Sequence, residues 1–244
     1  ILRKWGGKLD YNCLIDSLEV FKSYLKRVKK EYTFEELFTK YAQATFLLYD
    51  GGGIGTGFFI NSDGLAISNA HVLNHRSDLS TVKVYVWDSK GEVAEHRIWT
   101  VDKILKERYV GEIGKDDWVI FQIRKTESEK FIYYNIGDIS KDPIRQGQEI
   151  AVLGNPKGKN GNFTNGTVNN IEGNLVTISA DINLGNSGGP VINKFGEVIG
   201  IATWINNQVV SAVYENDFSK HNYAFNIQPV REVLNEIGVF YGGK

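Results

Sequence analysis

The chain has 244 residues, 42% of them apolar, with 28 Lys plus Arg against 29 Asp plus Glu. That length can bury two full cores, and the balanced charge gives no global field to draw in nucleic acid or an anionic membrane. The single cysteine, Cys13, excludes an intramolecular disulfide, and no apolar run approaches the roughly 20 residues of a membrane span. The first 44 residues read as a helical extension. Leu14, Leu18, Phe21, Leu25 and Val28 recur at alternating steps of four and three, a helical seam. Thr33-Phe34-Glu35-Glu36 matches a capping box and predicts a second helix running toward Ala44. From Thr45 the pattern changes to short runs rich in Val, Ile, Phe, Tyr and Trp, broken by Gly, Asn and Asp, which predicts many strands joined by turns. The clearest are Thr45 to Tyr49, Gly57 to Asn61, Leu65 to Ser68, Val82 to Trp87 and Trp118 to Ile123. Arg124 to Glu129 reads as a linker between two β-barrels, the first over residues 45–129 and the second over 130–244, with strands from about Glu149 to Ile227. Pro229 then starts a closing helix through Ile237.

Three segments carry candidate chemistry. A serine hydroxyl is a poor nucleophile near neutral pH, so it needs a general base, a group that orients that base, and donors for a developing oxyanion. Gly185-Asn186-Ser187-Gly188-Gly189-Pro190 offers a serine in a tight turn in which the amides of Gly185 and Ser187 can converge. Leu65 to Leu73 places His71 directly after a strand, as a base on a rigid element. Lys115-Asp116-Asp117-Trp118 places a carboxylate at the start of an apolar strand; Asp117 is the better placed orienting acid and Asp116 its competitor.

Thr56-Gly57-Phe58-Phe59-Ile60, Ser68-Asn69-Ala70-His71-Val72, Gly154-Asn155-Pro156, Gly185 to Pro190 and Gly196 to Ile201 resemble the chymotrypsin-like serine proteases, in particular the bacterial HtrA/DegP group. The resemblance runs from about Phe34 to Ile237, with His, Asp and Ser in that family's order. It implies a mainly β fold of two six-stranded antiparallel barrels with the site between them. It also implies a triad of His71, Asp117 and Ser187 and an oxyanion hole from the amides of Gly185 and Ser187, with Thr203 behind Asp117. The reaction it implies is peptide-bond hydrolysis on a polypeptide substrate, with no cofactor and no metal. A rival from another class is a catalytically silent protease-fold scaffold that acts through its cleft or its N-terminal helices.

By the same resemblance Asp181 lies six residues before the nucleophile, at the base of the S1 pocket, where a buried carboxylate would favour Arg or Lys. The alternative is an open loop that turns Asp181 to solvent. Trp204 and Ile205 would form the wall on which substrate backbone pairs, with Ile205 narrowing the entrance. Asn186 stands where trypsin-type zymogens carry an activating Asp, so Ile1 has no carboxylate to meet. Activity control is expected instead from the loops around 157–163 and 181–186, with Asn206 to Asn222 a further loop near the site. HtrA proteins commonly carry a PDZ domain after the closing helix, whereas this chain stops at Lys244; it reads as an excised piece or as a stand-alone protease. The absence of methionine and the start at Ile1 point the same way and leave the compartment open between bacterial cytoplasm and periplasm.

Residues 11–30 are expected either to pack on the chain's own barrels or to mediate a homo-oligomer or a larger protein partnership. Lys26, Arg27, Lys29 and Lys30 form the solvated face of that helix. The glycines from Gly51 to Gly57 miss the dinucleotide-binding spacing, and His71 with His75 lacks the helical context of a zinc pair.

Overall fold

The structure is a computed structural model and describes residues 18, 29–73, 78–87, 98–110, 116–126, 128, 130–134, 139–155, 161–203 and 222–239. The chain forms two compact units, Ile1–Glu31 and Tyr32–Lys244. In the first, Leu18 is helical and exposed; the rest of the 14–28 seam lies outside the described residues, and so does nearly all of the oligomer or partner surface expected over 11–30. Among the described residues no helix is long and apolar enough to cross a membrane.

The second unit opens with helix α1, Phe34–Tyr41. Its capping box is formed in full: Thr33 N–H donates to Glu36 Oε2 at 2.8 Å and Glu36 N–H to Thr33 Oγ1 at 3.2 Å. A 3₁₀ turn, Ala42–Ala44, hands the chain to the first strand. The helix is part of the barrel body, because Leu37 and Tyr41 are fully buried and Tyr41 stacks on Tyr134 with centroids 4.2 Å apart.

The first barrel comprises β1 (Thr45–Tyr49), β2 (Ile54–Phe59), β3 (Leu65–Ser68), β4 (Lys83–Tyr85), β5 (Ile98–Tyr109) and β6 (Asp117–Arg124). The second comprises β7 (Glu149–Gly154), β8 (Asn162–Glu172), β9 (Leu175–Ile178), β10 (Pro190–Asn193), β11 (Val198–Thr203) and β12 (Asn222–Asn226). Both sheets are antiparallel and closed, in the orders β1-β2-β3-β6-β5-β4 and β10-β11-β12-β9-β8-β7, which is the double-barrel architecture expected from the sequence. Helix α3, Gln228–Glu236, closes the chain with Pro229 in its first turn and Val230 and Leu234 buried.

Strand alternation explains why these runs are apolar on both faces. In β2, β3 and β6, Phe59, Ala66 and Phe121 point into the first barrel, while their neighbours Phe58, Ile67 and Ile120 enter a second cluster. That cluster also takes Ala151 and Leu153 of β7, whose alternates Ile150 and Val152 fill the second barrel. The interface between barrels is therefore a third core, to which Leu37, Tyr41, Val230 and Leu234 of the helices contribute. Strands covered on both faces lose the polar alternation of a half-solvated sheet.

Candidate active site

Pairing of β3 with β6 builds the first half of the site. Ser68, the last residue of β3, lies opposite Val119 of β6, so the chain leaving β3 meets Asp117 at the start of β6. It turns there into a short helix, α2 (Ala70–Leu73), that carries His71. His71 Nδ1 lies 2.5 Å from Asp117 Oδ2, and the His71 backbone N–H donates to Asp117 Oδ1 at 3.1 Å. Asn69 Nδ2 donates to the Asp117 carbonyl at 2.7 Å, fixing the same residue from its main chain. The carboxylate side chain is 10% exposed and the imidazole 35%. A carboxylate on Nδ1 holds the proton there and leaves Nε2 as the lone-pair nitrogen of the neutral ring.

Asp116 points elsewhere. Its Oδ2 meets Arg108 Nε at 3.0 Å, and its Oδ1 accepts from Asn174 Nδ2, across in the second barrel, at 2.9 Å.

Ser187 sits in the loop between β9 and β10 and is 4% exposed. Gly185 and Gly188 take φ of 100° and 88°, a region open to glycine and costly for other residues. Asn186 N–H donates to Asn183 O at 2.9 Å and Gly188 N–H to Ala202 O at 2.8 Å, so the peptides 185–186 and 187–188 are anchored within the second barrel. The loop also touches the first barrel where His71 begins: a Cβ on Gly188 would lie 2.1 Å from Ser68 Oγ and 3.0 Å from Asn69 N. Only glycine permits that approach.

The remaining candidates divide. Thr203 ends β11, buried and in register with Tyr223, and no hydrogen bond joins its side chain to Asp117. Asp181 is solvent-exposed, with its backbone carbonyl accepting from Thr164 Oγ1 at 3.0 Å. Trp204, Ile205, residues 157–160 and the segment 206–221 lie outside the described residues. Among the described residues no group of three or more His, Cys, Asp or Glu converges as a metal site.

Sequence reasoning passed over Thr56 and Asn155, although both lie in motifs that carried the resemblance. Thr56 is fully buried on β2, and Asn155, 1% exposed, follows β7. Trp87 Nε1 donates to Asn155 Oδ1 at 2.8 Å across the barrels. Polar residues inside apolar strands were the available signal, because a buried hydroxyl or amide must find partners.

A family model, Trypsin-like peptidase domain, matches residues 55–201. A DegP-like periplasmic serine endoprotease of Bartonella henselae is 31% identical over 159 residues, covering 62% of this chain and 28% of the relative. The serine protease HhoB of Synechocystis is 32% identical over 165 residues, covering 63% of this chain and 35% of that protein. The chain thus spans about a third or less of the length of these relatives. Among solved structures, the serine endoprotease of Yersinia pestis shares the fold, with a TM-score of 0.59 and 20% identity over 85% of this chain and 67% of that one.

Proposed function

Because the chain belongs to the trypsin-like peptidase domain family, with relatives of the DegP/HtrA type, we propose that it is a serine endopeptidase acting through an acyl-enzyme on Ser187. The observation that carries this reading is the 2.5 Å pair between His71 Nδ1 and the largely buried Asp117 carboxylate, on a segment that packs against the loop of Ser187. In the proposed cycle Ser187 Oγ attacks the scissile carbonyl while His71 Nε2 takes its proton, and the ring returns that proton to the leaving amine. A water deprotonated by His71 then releases the acyl group. Asp117 keeps the ring in the reactive tautomer and stabilises the imidazolium. Gly185 and Ser187 amides are the proposed oxyanion donors; Gly185 N–H has no hydrogen-bond partner among the described residues, as a donor kept for substrate requires.

A periplasmic site of action, matching the name of the DegP-like relatives, is part of the same reading. So is a polypeptide substrate without a strong demand for a basic P1 residue, since the Asp181 carboxylate is exposed. The decisive experiment is labelling with a fluorophosphonate probe. Wild-type protein should label and Ser187→Ala should not, with turnover lowered on the order of 10⁶-fold. A wild-type chain that neither labels nor cleaves a casein substrate would return the field to the silent scaffold.

A further inference from the structure

From the hydrogen bonds around Ser187 we infer that Thr56 is a positioning residue for the nucleophile loop, an assignment that rests on the proposed peptidase activity. Thr56 lies on β2 of the first barrel, yet the partners of its backbone N–H and its hydroxyl lie in the second. Its backbone N–H donates to Ser187 O at 2.7 Å and its hydroxyl lies 2.6 Å from Gly185 O. The direction of the hydroxyl bond follows from chemistry. Asn155 N–H, which can only donate, points at Thr56 Oγ1 from 3.0 Å, and Gly185 O can only accept. The Thr56 hydroxyl therefore accepts from Asn155 and gives its one proton to Gly185.

The consequence is that one residue holds the carbonyls of Gly185, two residues before the nucleophile, and of Ser187 itself. With Asn186 N–H on Asn183 O and Gly188 N–H on Ala202 O, the peptide planes 185–186 and 187–188 are each gripped from two sides, one side in each barrel. The Ser187 amide lies in the plane between these two and the Gly185 amide in the plane just before them, so a shift of either gripped plane alters the backbone frame that aims both amides at the point where an oxyanion forms. Thr56 is itself fixed, because its carbonyl accepts from Ser68 Oγ at 2.7 Å and the residue is wholly buried. Ser68 ends the strand that leads to His71, so the same contact ties the loop's grip to the base's element.

The test compares Thr56→Val, nearly isosteric but without the hydroxyl, with Thr56→Ser, which keeps it. Valine leaves Asn155 N–H and Gly185 C=O buried without their shared partner. Expected for Thr56→Val is a fall in kcat of about 10²-fold with KM within about twofold, and a parallel slowing of fluorophosphonate labelling. Thr56→Ser should recover kcat to within about fivefold of wild type. A kcat for Thr56→Val within about twofold of wild type overturns the assignment. So does equal impairment of the serine variant. Should Thr56→Val fail to fold, Thr56→Ala takes its place under the same criterion, and failure of both to fold assigns Thr56 a purely structural role and also overturns the inference. An inactive wild-type chain would sink the peptidase reading instead, so the two failures are told apart by the wild-type control.

Discussion

Asp116 and Asp117 are neighbours in the chain and face opposite ways: Asp117 takes the His71 ring and backbone, whereas Asp116 takes Arg108 and reaches Asn174 in the other barrel. Alternation along the start of β6 causes the split, since successive side chains leave a strand on opposite sides. One carboxylate is thereby committed to the imidazole and the other to the joint between the barrels.

Asp117→Asn should therefore lower kcat by about 10⁴-fold while leaving the fold intact. The amide would present N–H to His71 Nδ1 and move the ring proton to Nε2, where it blocks uptake of the serine proton. Asp116→Asn should leave kcat within about threefold of wild type. Steady-state kinetics on one peptide substrate checks both, and a reversed ranking would make Asp116 the orienting acid.

Removing the cross-barrel partner should read out as stability and not as chemistry. Asn174→Ala deletes one partly buried hydrogen bond to Asp116 and should cost about 1 kcal/mol, a fall in Tm of about 2–4 °C. Arg108→Ala should cost less, because that guanidinium is 62% exposed and solvent screens its pair. Thermal unfolding of both variants tests the order; an Arg108 variant that loses more than Asn174→Ala would contradict it.

Much of this arrangement was legible in the sequence, for identifiable reasons. Thr45 to Tyr49 and Leu65 to Ser68 match their strands residue for residue; Asp50-Gly51 ends the first, and Gly64 and Asn69 bound the second. The capping box at Thr33 likewise marked the start of α1. β5 was missed: its twelve residues are largely exposed and bulged between Val101 and Lys103 and between Ile104 and Lys106, so no clean period of two survives. Local pattern places the helix over Phe34–Tyr41 in the extension; its stacking on Tyr134 is a contact across 93 positions that no local pattern encodes. The clamp by Thr56 was hidden for the same reason, its bond to Gly185 spanning 129 positions.

Two glycines with similar backbone angles should respond very differently to alanine. Gly147 has φ of 78° and open space where a Cβ would go, so Gly147→Ala should cost about 1–2 kcal/mol from the backbone alone. At Gly188, with φ of 88°, the added carbon would sit 2.1 Å from both Ser68 Oγ and the Thr56 carbonyl. Gly188→Ala should then lose at least about 4 kcal/mol or fail to fold. Denaturant midpoints decide, and equal costs would mean that the loop is not pressed against β2 and β3.

Tyr134 supplies a pH test of the interface core. Its ring is fully buried on Tyr41, and that burial pushes its phenol far above the ordinary value of 10.0. In the folded chain the hydroxyl keeps its proton; in the unfolded chain it ionises above about pH 10. Stability from this group is thus complete below that pH and falls as pH rises beyond it, by up to about 1.4 kcal/mol per pH unit. Tyr134→Phe removes the ionisable group and keeps the stacked ring, so its unfolding free energy should decline less steeply between about pH 9 and about pH 11 than that of wild type. Parallel alkaline slopes for the two proteins would show that Tyr134 reaches solvent before the chain unfolds.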